Sequence, residues 1–165
     1  MSRAIMSSTL FKVMFEQAPV AVALVERDTG RFVLANQRYC DLLGMTAEEL
    51  TETTFMAITH QSDLQADLAK CAELREGLIQ SFTHEKRYIK LDGTVVWVSL
   101  NVSPLTTDGQ VTPYNMAVAE DITERKRVEW ALQESEARLR TVVDTSGDWL
   151  WEIDEQGRFT YCSLR

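Results

Sequence analysis

The most regular alternation of hydrophobic and polar residues runs through the segment TVVWVSLNVSPL, residues 94–105. One face of this segment carries only aliphatic side chains, those of Val96, Val98, Leu100 and Val102. The opposite face carries Trp97 and small polar residues. This strict two-residue period predicts a β-strand whose aliphatic face meets the core, while its other face is wetter or is covered by a partner.

Two further segments, residues 81–91 and 113–122, show strand character on either side of this central one. An Asp-Gly turn signal separates each neighbouring pair of segments. In the last segment Met116, Val118 and Ile122 are in step, so we expect them to form its inward face. The second half of the main domain is therefore predicted to be three consecutive antiparallel strands.

The start of the chain predicts a helix followed by a β-hairpin. Residues 8–17 are predicted to be helical and to end before Pro19. One face of this helix carries the apolar side chains of Leu10, Phe11, Met14 and Phe15. The strand-like segments AVALVE, residues 21–26, and RFVLAN, residues 31–36, follow with an Arg-Asp-Thr-Gly turn signal between them.

Short helices are predicted between this hairpin and the three strands. Asn36 is placed to cap the first of them, which is expected to end at Gly44. Thr46 and Glu49 have the spacing of a capping box for the second. A longer helix over about residues 62–76 is expected to turn Leu64, Leu68, Cys71, Ala72 and Leu74 inward.

From Thr123 onward the pattern becomes that of one long helix without glycine or proline. Steps of four and three residues connect Val128, Leu132, Ser135, Leu139 and Val142. This spacing is typical of a coiled coil, so residues 124–143 are predicted to form a coiled-coil dimer helix. Roughly three heptads are marginal for an isolated helix, so we expect a partner helix.

The last residues predict a second copy of the first hairpin. Gly157-Arg158-Phe159 repeats Gly30-Arg31-Phe32, and WLWEID stands where AVALVE stood. Such a partial copy indicates a fragment or truncated form of a longer modular protein. We expect a cap helix at residues 1–17, the main domain at 18–123, the coiled-coil helix at 124–143 and a truncated repeat at 144–165.

Composition and charge narrow the classes of function. The chain has 17 basic and 25 acidic residues and a net charge of −8, which disfavours a general nucleic-acid binder and docking on anionic lipid. No apolar run approaches the length of a membrane span, and the N-terminus has no secretory signal. Three cysteines without a CxxC motif suit a reducing cytoplasm. We therefore expect a cytoplasmic domain that binds no nucleic acid and has no direct membrane insertion.

Motifs for catalysis and metal binding are absent from the sequence. There is no glycine-rich phosphate loop, no HExxH and no GxSxG, and the chain has only two histidines. The chain is therefore predicted to be neither an enzyme nor a metal-binding protein.

Several motifs, taken in order, resemble one known family. The opening FEQAPVAVALVERDTGRFVLANQRYCDLLGMTAEEL has Asn36 at its strand-to-helix step. Residues 59–63 are similar to a THPDD box in which glutamine replaces the usual proline, and KRYIKLDGTVVWV, residues 86–98, is similar to the family's hairpin. Residues 121–126, DITERK, match its closing motif. Over about residues 10–126 the chain resembles a PAS domain with its PAC segment.

This resemblance implies an α+β fold, with a five-stranded antiparallel sheet, short helices on one face, an N-terminal helix and a C-terminal coiled-coil helix. PAS domains sense a ligand or cofactor between sheet and helices and signal through the helix after Asp-Ile-Thr, usually as dimers. The longer protein would be a histidine kinase of a two-component system or an enzyme that makes or breaks cyclic di-GMP. The implied partners are a second copy, a downstream output domain of the same chain and a small-molecule ligand.

The ligand site implied by the resemblance lies between the sheet and the helices. The candidate ligand-binding residues are Asn36, Tyr39, Val98, Leu100 and Met116. A site without a cofactor is the main expectation, and the ligand itself stays open. Non-covalent flavin is the alternative, because Asn36 and Tyr39 could hydrogen-bond to a ring and stack on it.

Coloured cofactors that need a cysteine or histidine are not expected. Cys71 lacks the surrounding sequence of a photoreactive flavin thiol, and both Cys71 and Cys40 are interpreted as small core residues. The haem-binding branch of the family carries its histidine within the longer helix. His60 and His84 lie elsewhere, so we expect them to have structural roles.

Asp121, Ile122 and Thr123 form the predicted signal relay. A strand that continues into a stiff helix without glycine or proline would pass a shift of the sheet into the helix. The alternative is that these residues only cap the helix.

Trp97 is predicted to contact a second protomer or the N-terminal helix. Two other functions stay open, a ligand-free dimerisation module and a flavin- or haem-binding redox or gas sensor.

Overall fold

Helices and strands occupy most of residues 2–146, 151–156 and 158–162, which the computed structural model describes. In chain order the elements are α1 (Ser2–Glu16), β1 (Ala21–Glu26), β2 (Phe32–Ala35), α2 (Gln37–Leu43), α3 (Ala47–Thr51), α4 (Phe55–Ile58), α5 (Gln61–Arg75), β3 (Phe82–Ile89), β4 (Val95–Thr107), β5 (Gln110–Asp121), α6 (Thr123–Ser146), β6 (Trp151–Ile153) and β7 (Phe159–Cys162). Residues Met1–Thr123 and Glu124–Arg165 form two compact units.

The first unit is built on a five-stranded antiparallel sheet with the strand order β2-β1-β5-β4-β3. The pairing of β1 with β5 joins distant parts of the chain, since Ala21 on β1 is the partner of Ala119 on β5. The helices α2 to α5 lie between β2 and β3 in sequence. The predicted α+β fold with a five-stranded antiparallel sheet is confirmed.

The sheet turns one face to the core, and β4 defines that face. Val96, Val98, Leu100 and Val102 are all buried, as their alternation predicted. On β5 the inward residues are Asn115, Ala117 and Ala119. The prediction that Met116 and Val118 point inward is wrong, because the pairing of β5 with β4 determines which residues of β5 face the core. Val102 is the partner of Ala117, and directly paired residues share a face of the sheet.

Capping residues set the start of the short helices. The Asn36 side chain accepts a hydrogen bond from Tyr39 N at the start of α2, and Gly44 ends this helix in the left-handed conformation with φ of 68°. The capping box of Thr46 and Glu49 at α3 is present with both of its hydrogen bonds. These predictions are confirmed, because each cap depends on residues close in sequence.

Helix α5 differs from its prediction in its start and in its buried face. It begins at Gln61, one residue early, because the ring nitrogen of His60 accepts a hydrogen bond from Ser62 N. Ala72, predicted to face inward, is exposed. Asp67 is buried instead, and Leu74 is buried as predicted. An ion pair with the sheet, described below, explains why a carboxylate takes a core position.

The N-terminal helix α1 starts well before the predicted residue 8. Leu10, Phe11 and Met14 are more than half exposed, so most of the predicted apolar face of this helix is not buried. Phe15 is half-buried, and its ring stacks on that of Phe11 with centroids 5.8 Å apart.

The second unit contains most of α6 and a two-stranded hairpin. In this hairpin β6 pairs antiparallel with β7, and Trp151 is the partner of Cys162. A hairpin is what the repeated sequence pattern predicted for this part of the chain. Gly157, on which the predicted repeat partly depends, lies outside the described residues.

Candidate functional site

A cavity of about 70 Å³ lies between the sheet and the helices of the first unit. Its apolar wall comes from both layers and includes Val25, Phe32, Phe55, Leu68, Leu100 and Ala117. Asp28, Thr29 and Arg75 also line it and are exposed. The cavity therefore opens between the β1–β2 turn and the end of α5.

Gly30 holds the β1–β2 turn close to α4 at this opening. Its φ is +70°, a conformation that favours glycine. A Cβ atom at this position would lie 2.7 Å from a ring carbon of Phe55. The Gly30 carbonyl accepts a hydrogen bond of 3.0 Å from Phe55 N. Only glycine therefore fits at this point of the cavity wall.

Two tyrosines form a hydrogen-bonded pair in the cavity wall. The hydroxyl oxygens of Tyr39 and Tyr88 are 2.9 Å apart, and both rings are almost completely buried. Burial raises the pKa of each hydroxyl well above its ordinary value. Both hydroxyls are therefore protonated, and the one that accepts keeps a hydrogen of its own to donate.

A buried ionic cluster joins α5 to β3 beside these tyrosines. The Lys86 ammonium donates to Asp67 Oδ2 and, at 3.1 Å, to Thr59 Oγ1. Asp67 Oδ1 lies 3.2 Å from His84 Nε2. The Lys86 nitrogen also lies 4.8 Å from the centroid of the Tyr88 ring. Each buried charge thus faces an opposite charge or polar group, as burial of ions requires.

The environment of Asp67 keeps its carboxyl ionised. Burial by itself raises the pKa of this group, but the hydrogen bond to His84 and the charge of Lys86 more than offset it. The pKa of Asp67 therefore lies below its ordinary value. Nearby, burial first and the Asp67 charge second raise the pKa of the Cys71 thiol to about 11. Cys71 is accordingly a protonated thiol at neutral pH, which does not favour thiolate chemistry.

Asn115 places an amide on the core-facing side of β5, where it lines the cavity. The side chain is only 9% exposed. Its Oδ1 atom is buried and has no hydrogen-bond partner among the described residues. This acceptor is therefore available to a donor inside the cavity.

The structure brings only part of the predicted ligand set to the cavity. Tyr39 and Leu100 line it. Val98 is fully buried but is not part of the cavity wall, and Met116 lies on the other face of the sheet. Asn36 is fully buried and lies outside the wall, so the prediction that it faces a ligand does not fit this geometry.

Asn36 instead connects four backbone groups. Its Oδ1 accepts from Val22 N at 3.0 Å and from Tyr39 N at 3.1 Å. Its Nδ2 donates to Phe15 O and to Val20 O, both at 3.0 Å. This one side chain thus ties together the end of α1, the start of β1 and the first turn of α2.

Sequence reasoning missed the polar residues of the cavity, Asp67, Lys86 and Asn115. Asp67 and Lys86 each occupy a position that a helical or two-residue period would assign to the core. For Asn115 the predicted phase of β5 points to the outer face, so only the pairing of the strands reveals it. Lys86 stands in step with Phe82 and Tyr88 on β3. That interruption of an apolar face was the available signal for a buried charge and its partner.

The predicted relay residues connect the sheet to α6. Ile122 N donates to Trp97 O at 2.9 Å, and Trp97 N donates to Thr123 Oγ1 at 3.0 Å. Thr123 N donates to Asp121 Oδ1 at 2.8 Å. The Asp121 side chain thus accepts a hydrogen bond at the start of α6, and the Thr123 hydroxyl accepts one from the backbone of β4.

The Trp97 ring lies on the outer face of the sheet, 5.3 Å from the Arg87 guanidinium carbon. Arg87 in turn forms a two-point ion pair with Asp63 in the first turn of α5, with nitrogen–oxygen distances of 2.6 and 2.9 Å. Side-chain contacts thus connect α5, which lines the cavity, with β4, whose Trp97 N binds the Thr123 hydroxyl.

Helix α6 exposes the predicted heptad stripe. Val128, Leu132 and Leu139 are each about 60% exposed, and Ser135 is exposed as well. The side chain of Val142 lies outside the described residues. Glu134 and Arg138, four residues apart on this helix, form an ion pair of 2.7 Å.

The described residues hold no group of three or more His, Cys, Asp and Glu side chains that could bind a metal ion. The His60 ring nitrogen accepts a hydrogen bond from Ser62 N at the start of α5, and His84 Nε2 lies 3.2 Å from Asp67 Oδ1. Cys40 is buried as expected, whereas Cys71 is half-buried and lines the cavity.

Within the described ranges no helix is long and apolar enough to cross a membrane.

Comparison with protein families gives two matches along the chain. A family model described as PAS fold matches residues 15–127. A second model, described as PAS domain, matches residues 137–165. The second match covers the segment in which the repeat was predicted.

Individual proteins are also similar to this chain in sequence or in fold. The chain is 37% identical over 148 residues to the probable diguanylate cyclase DgcE of Escherichia coli (strain K12), and it spans 13% of that protein. An RNA-binding light-oxygen-voltage receptor is similar in structure, with a TM-score of 0.67, 22% identity and coverage of 83% of this chain and 39% of the receptor chain. A PAS domain from Colwellia psychrerythraea has a TM-score of 0.64 at 16% identity, covering 72% and 98% of the two chains.

Proposed function

Because this chain belongs to the PAS family of sensory domains, we propose that it is a non-catalytic sensor whose ligand binds in the core cavity and changes the state of α6. The observation that carries this proposal is the cavity itself, because β5 of its wall leads through Ile122 into Thr123 and β4 of its wall binds the Thr123 hydroxyl through Trp97 N. By analogy with the probable diguanylate cyclase to which the chain is similar, the regulated output is synthesis of cyclic di-GMP by another part of a longer protein.

The size of the cavity favours a small ligand. A volume of about 70 Å³ holds only a few water-sized groups. The ring system of a flavin or a haem is several times larger, so we propose neither as the ligand. The Tyr39 and Tyr88 hydroxyls, the Lys86 cluster and Asn115 provide polar contacts among the buried apolar side chains of the wall.

A route from the cavity to α6 follows from contacts already described. Leu100 on β4 lines the cavity, and Trp97, three residues earlier on the same strand, binds Thr123 through its backbone. A shift of β4 on ligand binding would therefore change the start of α6. Such a shift acts as a signal when the helix pairing has two arrangements.

Filling the cavity is expected to abolish both ligand binding and the response of α6. The ligand is sought by ligand-observed NMR with a library of small polar molecules, and hydrogen exchange is then measured on the protein with each hit. We expect a hit to change amide exchange at the start of α6 by about fivefold or more. In Ala117→Leu, whose larger side chain occupies the cavity, binding and response should both be lost.

Val118→Leu is the matched control, because residue 118 lies on the other face of β5. It should bind and respond like the wild type. Hits that bind Ala117→Leu equally well would place the ligand elsewhere, and hits that bind the cavity without any change in α6 would contradict the signalling role.

The heptad stripe is expected to hold two copies of the chain together. Val128→Asp and Leu132→Asp each place a charge on the exposed apolar stripe, so we expect each to raise the dimer dissociation constant about tenfold or more. Sedimentation equilibrium measures this constant. Gln133→Asp introduces the same charge on another side of α6 and should leave dimerisation unchanged. A dimer that is insensitive to both stripe variants would disprove pairing through this face.

A further inference from the structure

Asn115 is the buried polar residue of β5, and its position is near the cavity opening. It is the Cα partner of Val25, which directly precedes Glu26 at the end of β1. Both Val25 and Glu26 line the cavity, as do the residues of the turn that follows. The amide therefore stands where an entering molecule first meets buried protein.

The Oδ1 atom of Asn115 needs a hydrogen-bond donor. It is buried without a partner among the described residues, in a side chain that is nine-tenths buried. Buried polar atoms in native proteins almost always have a hydrogen-bond partner, and an unpaired acceptor destabilises the fold. A ligand that carries an N–H or O–H group in the cavity would remove this penalty.

The buried charges of the cavity wall, Lys86 and Asp67, disfavour an ionic ligand beside them, whereas the charged residues Glu26, Arg27, Asp28 and Arg75 line the rest of the cavity. The Lys86 ammonium already contacts Asp67 and Thr59, and the Asp67 carboxylate already contacts Lys86 and His84. An anion would find the buried ammonium compensated, and a cation would find the buried carboxylate compensated. Burial of an uncompensated charge is strongly unfavourable, so a neutral molecule fits best.

We propose that Asn115 determines the specificity of the cavity, which takes a small neutral molecule with an O–H or N–H donor, such as a short alcohol or primary amide. This inference rests on the proposed function, because it names the class of ligand for the same cavity. Asn115 binds the donor, and the aliphatic wall of β4 and β5 contacts the alkyl part.

Two matched pairs of probes test the class of ligand. Butanamide and butanoate have the same shape and differ in charge and in the N–H donors, and 1-butanol and butylammonium differ chiefly in charge. We expect the two neutral probes to bind the wild-type chain with dissociation constants of about micromolar to millimolar, measured by ligand-observed NMR. The two ions should bind at least about tenfold more weakly.

Substitution of Asn115 tests the contact itself. Asn115→Leu keeps the approximate volume and removes the acceptor, so we expect the dissociation constant for butanamide to rise about tenfold. Asn101→Leu, on the other face of β4, is the matched control and should bind like the wild type. Asn115→Asp offers a second, independent variant, in which butylammonium should bind more tightly than 1-butanol. Thermal melts of each variant establish that it is folded.

The outcomes separate this inference from the proposed function. Equal binding of butanoate and butanamide to the wild type, or unchanged binding of butanamide to Asn115→Leu, would overturn the assignment of Asn115. In that case two further results would still support the sensory function without a role for Asn115. The probe would fail to bind Ala117→Leu, and it would change amide exchange in α6 of the wild type. If none of the four probes binds the wild type, the proposed ligand class is wrong.

Discussion

Replacing Asp67 by alanine is expected to lower the free energy of unfolding by about 3–5 kcal/mol. Asp67 is 1% exposed and contacts both Lys86 and His84, so its removal leaves a buried ammonium without its counter-charge. Urea unfolding followed by circular dichroism measures the change. Asp28→Ala removes an exposed carboxylate at the cavity opening and should change stability by less than about 0.5 kcal/mol.

The double variant Asp67→Leu/Lys86→Met decides whether the loss comes from the unpaired charge. Apolar residues of similar volume in place of a buried ion pair are often neutral or stabilising, so most of the stability should return. A double variant as unstable as Asp67→Ala would show instead that shape, and not charge, dominates at this position.

Acid should weaken the same contact in the wild-type chain. The pKa of folded Asp67 lies below its ordinary value, so its contribution is complete above the unfolded pKa of about 4. That contribution is lost as the pH falls through the folded value, because the unfolded state then binds the proton more readily. The Asp67→Leu/Lys86→Met variant should lose less stability over this range.

Asn36→Asp is expected to lower the free energy of unfolding by about 2–4 kcal/mol. The carboxylate keeps the two acceptor contacts with Val22 N and Tyr39 N. It replaces the amide donor by an oxygen that faces the carbonyls of Phe15 and Val20 in a buried site. Urea unfolding again measures the loss.

This substitution separates two roles of Asn36. Aspartate is as good a helix cap as asparagine, so a residue that only capped α2 would tolerate the change. Asn101→Asp, at a less buried asparagine on β4, is the control and should stay within about 0.5 kcal/mol of the wild type. Equal stability of Asn36→Asp and the wild type would mean that the contacts to Phe15 and Val20 contribute nothing.

Most of the fold could be predicted because its signals are local or periodic. The face of β4 follows from strict alternation, and the caps at Asn36 and Thr46 depend on residues within one helical turn. Local and periodic signals do not determine which residues of β5 face the core. That orientation depends on which residue of β4 lies opposite Ala117, and pairing between strands is not visible in the pattern of one strand.

The candidate site was less predictable, for a related reason. Asp67 and Lys86 are each typical of a solvated surface, and only their contact across α5 and β3 allows both to be buried. Asn115 likewise resembles a surface residue until its register is known. Tyr39 could be placed at the cavity because the family resemblance located it, whereas the same resemblance misplaced Asn36.

The pairing of β1 with β5 has a consequence for how the chain is made. Ala21 can pair with Ala119 only after residue 119 has been synthesised. The β1–β5 pairing at the centre of the sheet therefore forms only after nearly the whole first unit has left the ribosome. Until then the β1–β2 hairpin has an open edge. A second copy downstream begins with a similar hairpin, which is a competing partner for β5 during synthesis. Slow translation between the two copies would therefore favour correct folding over exchange of strands between them.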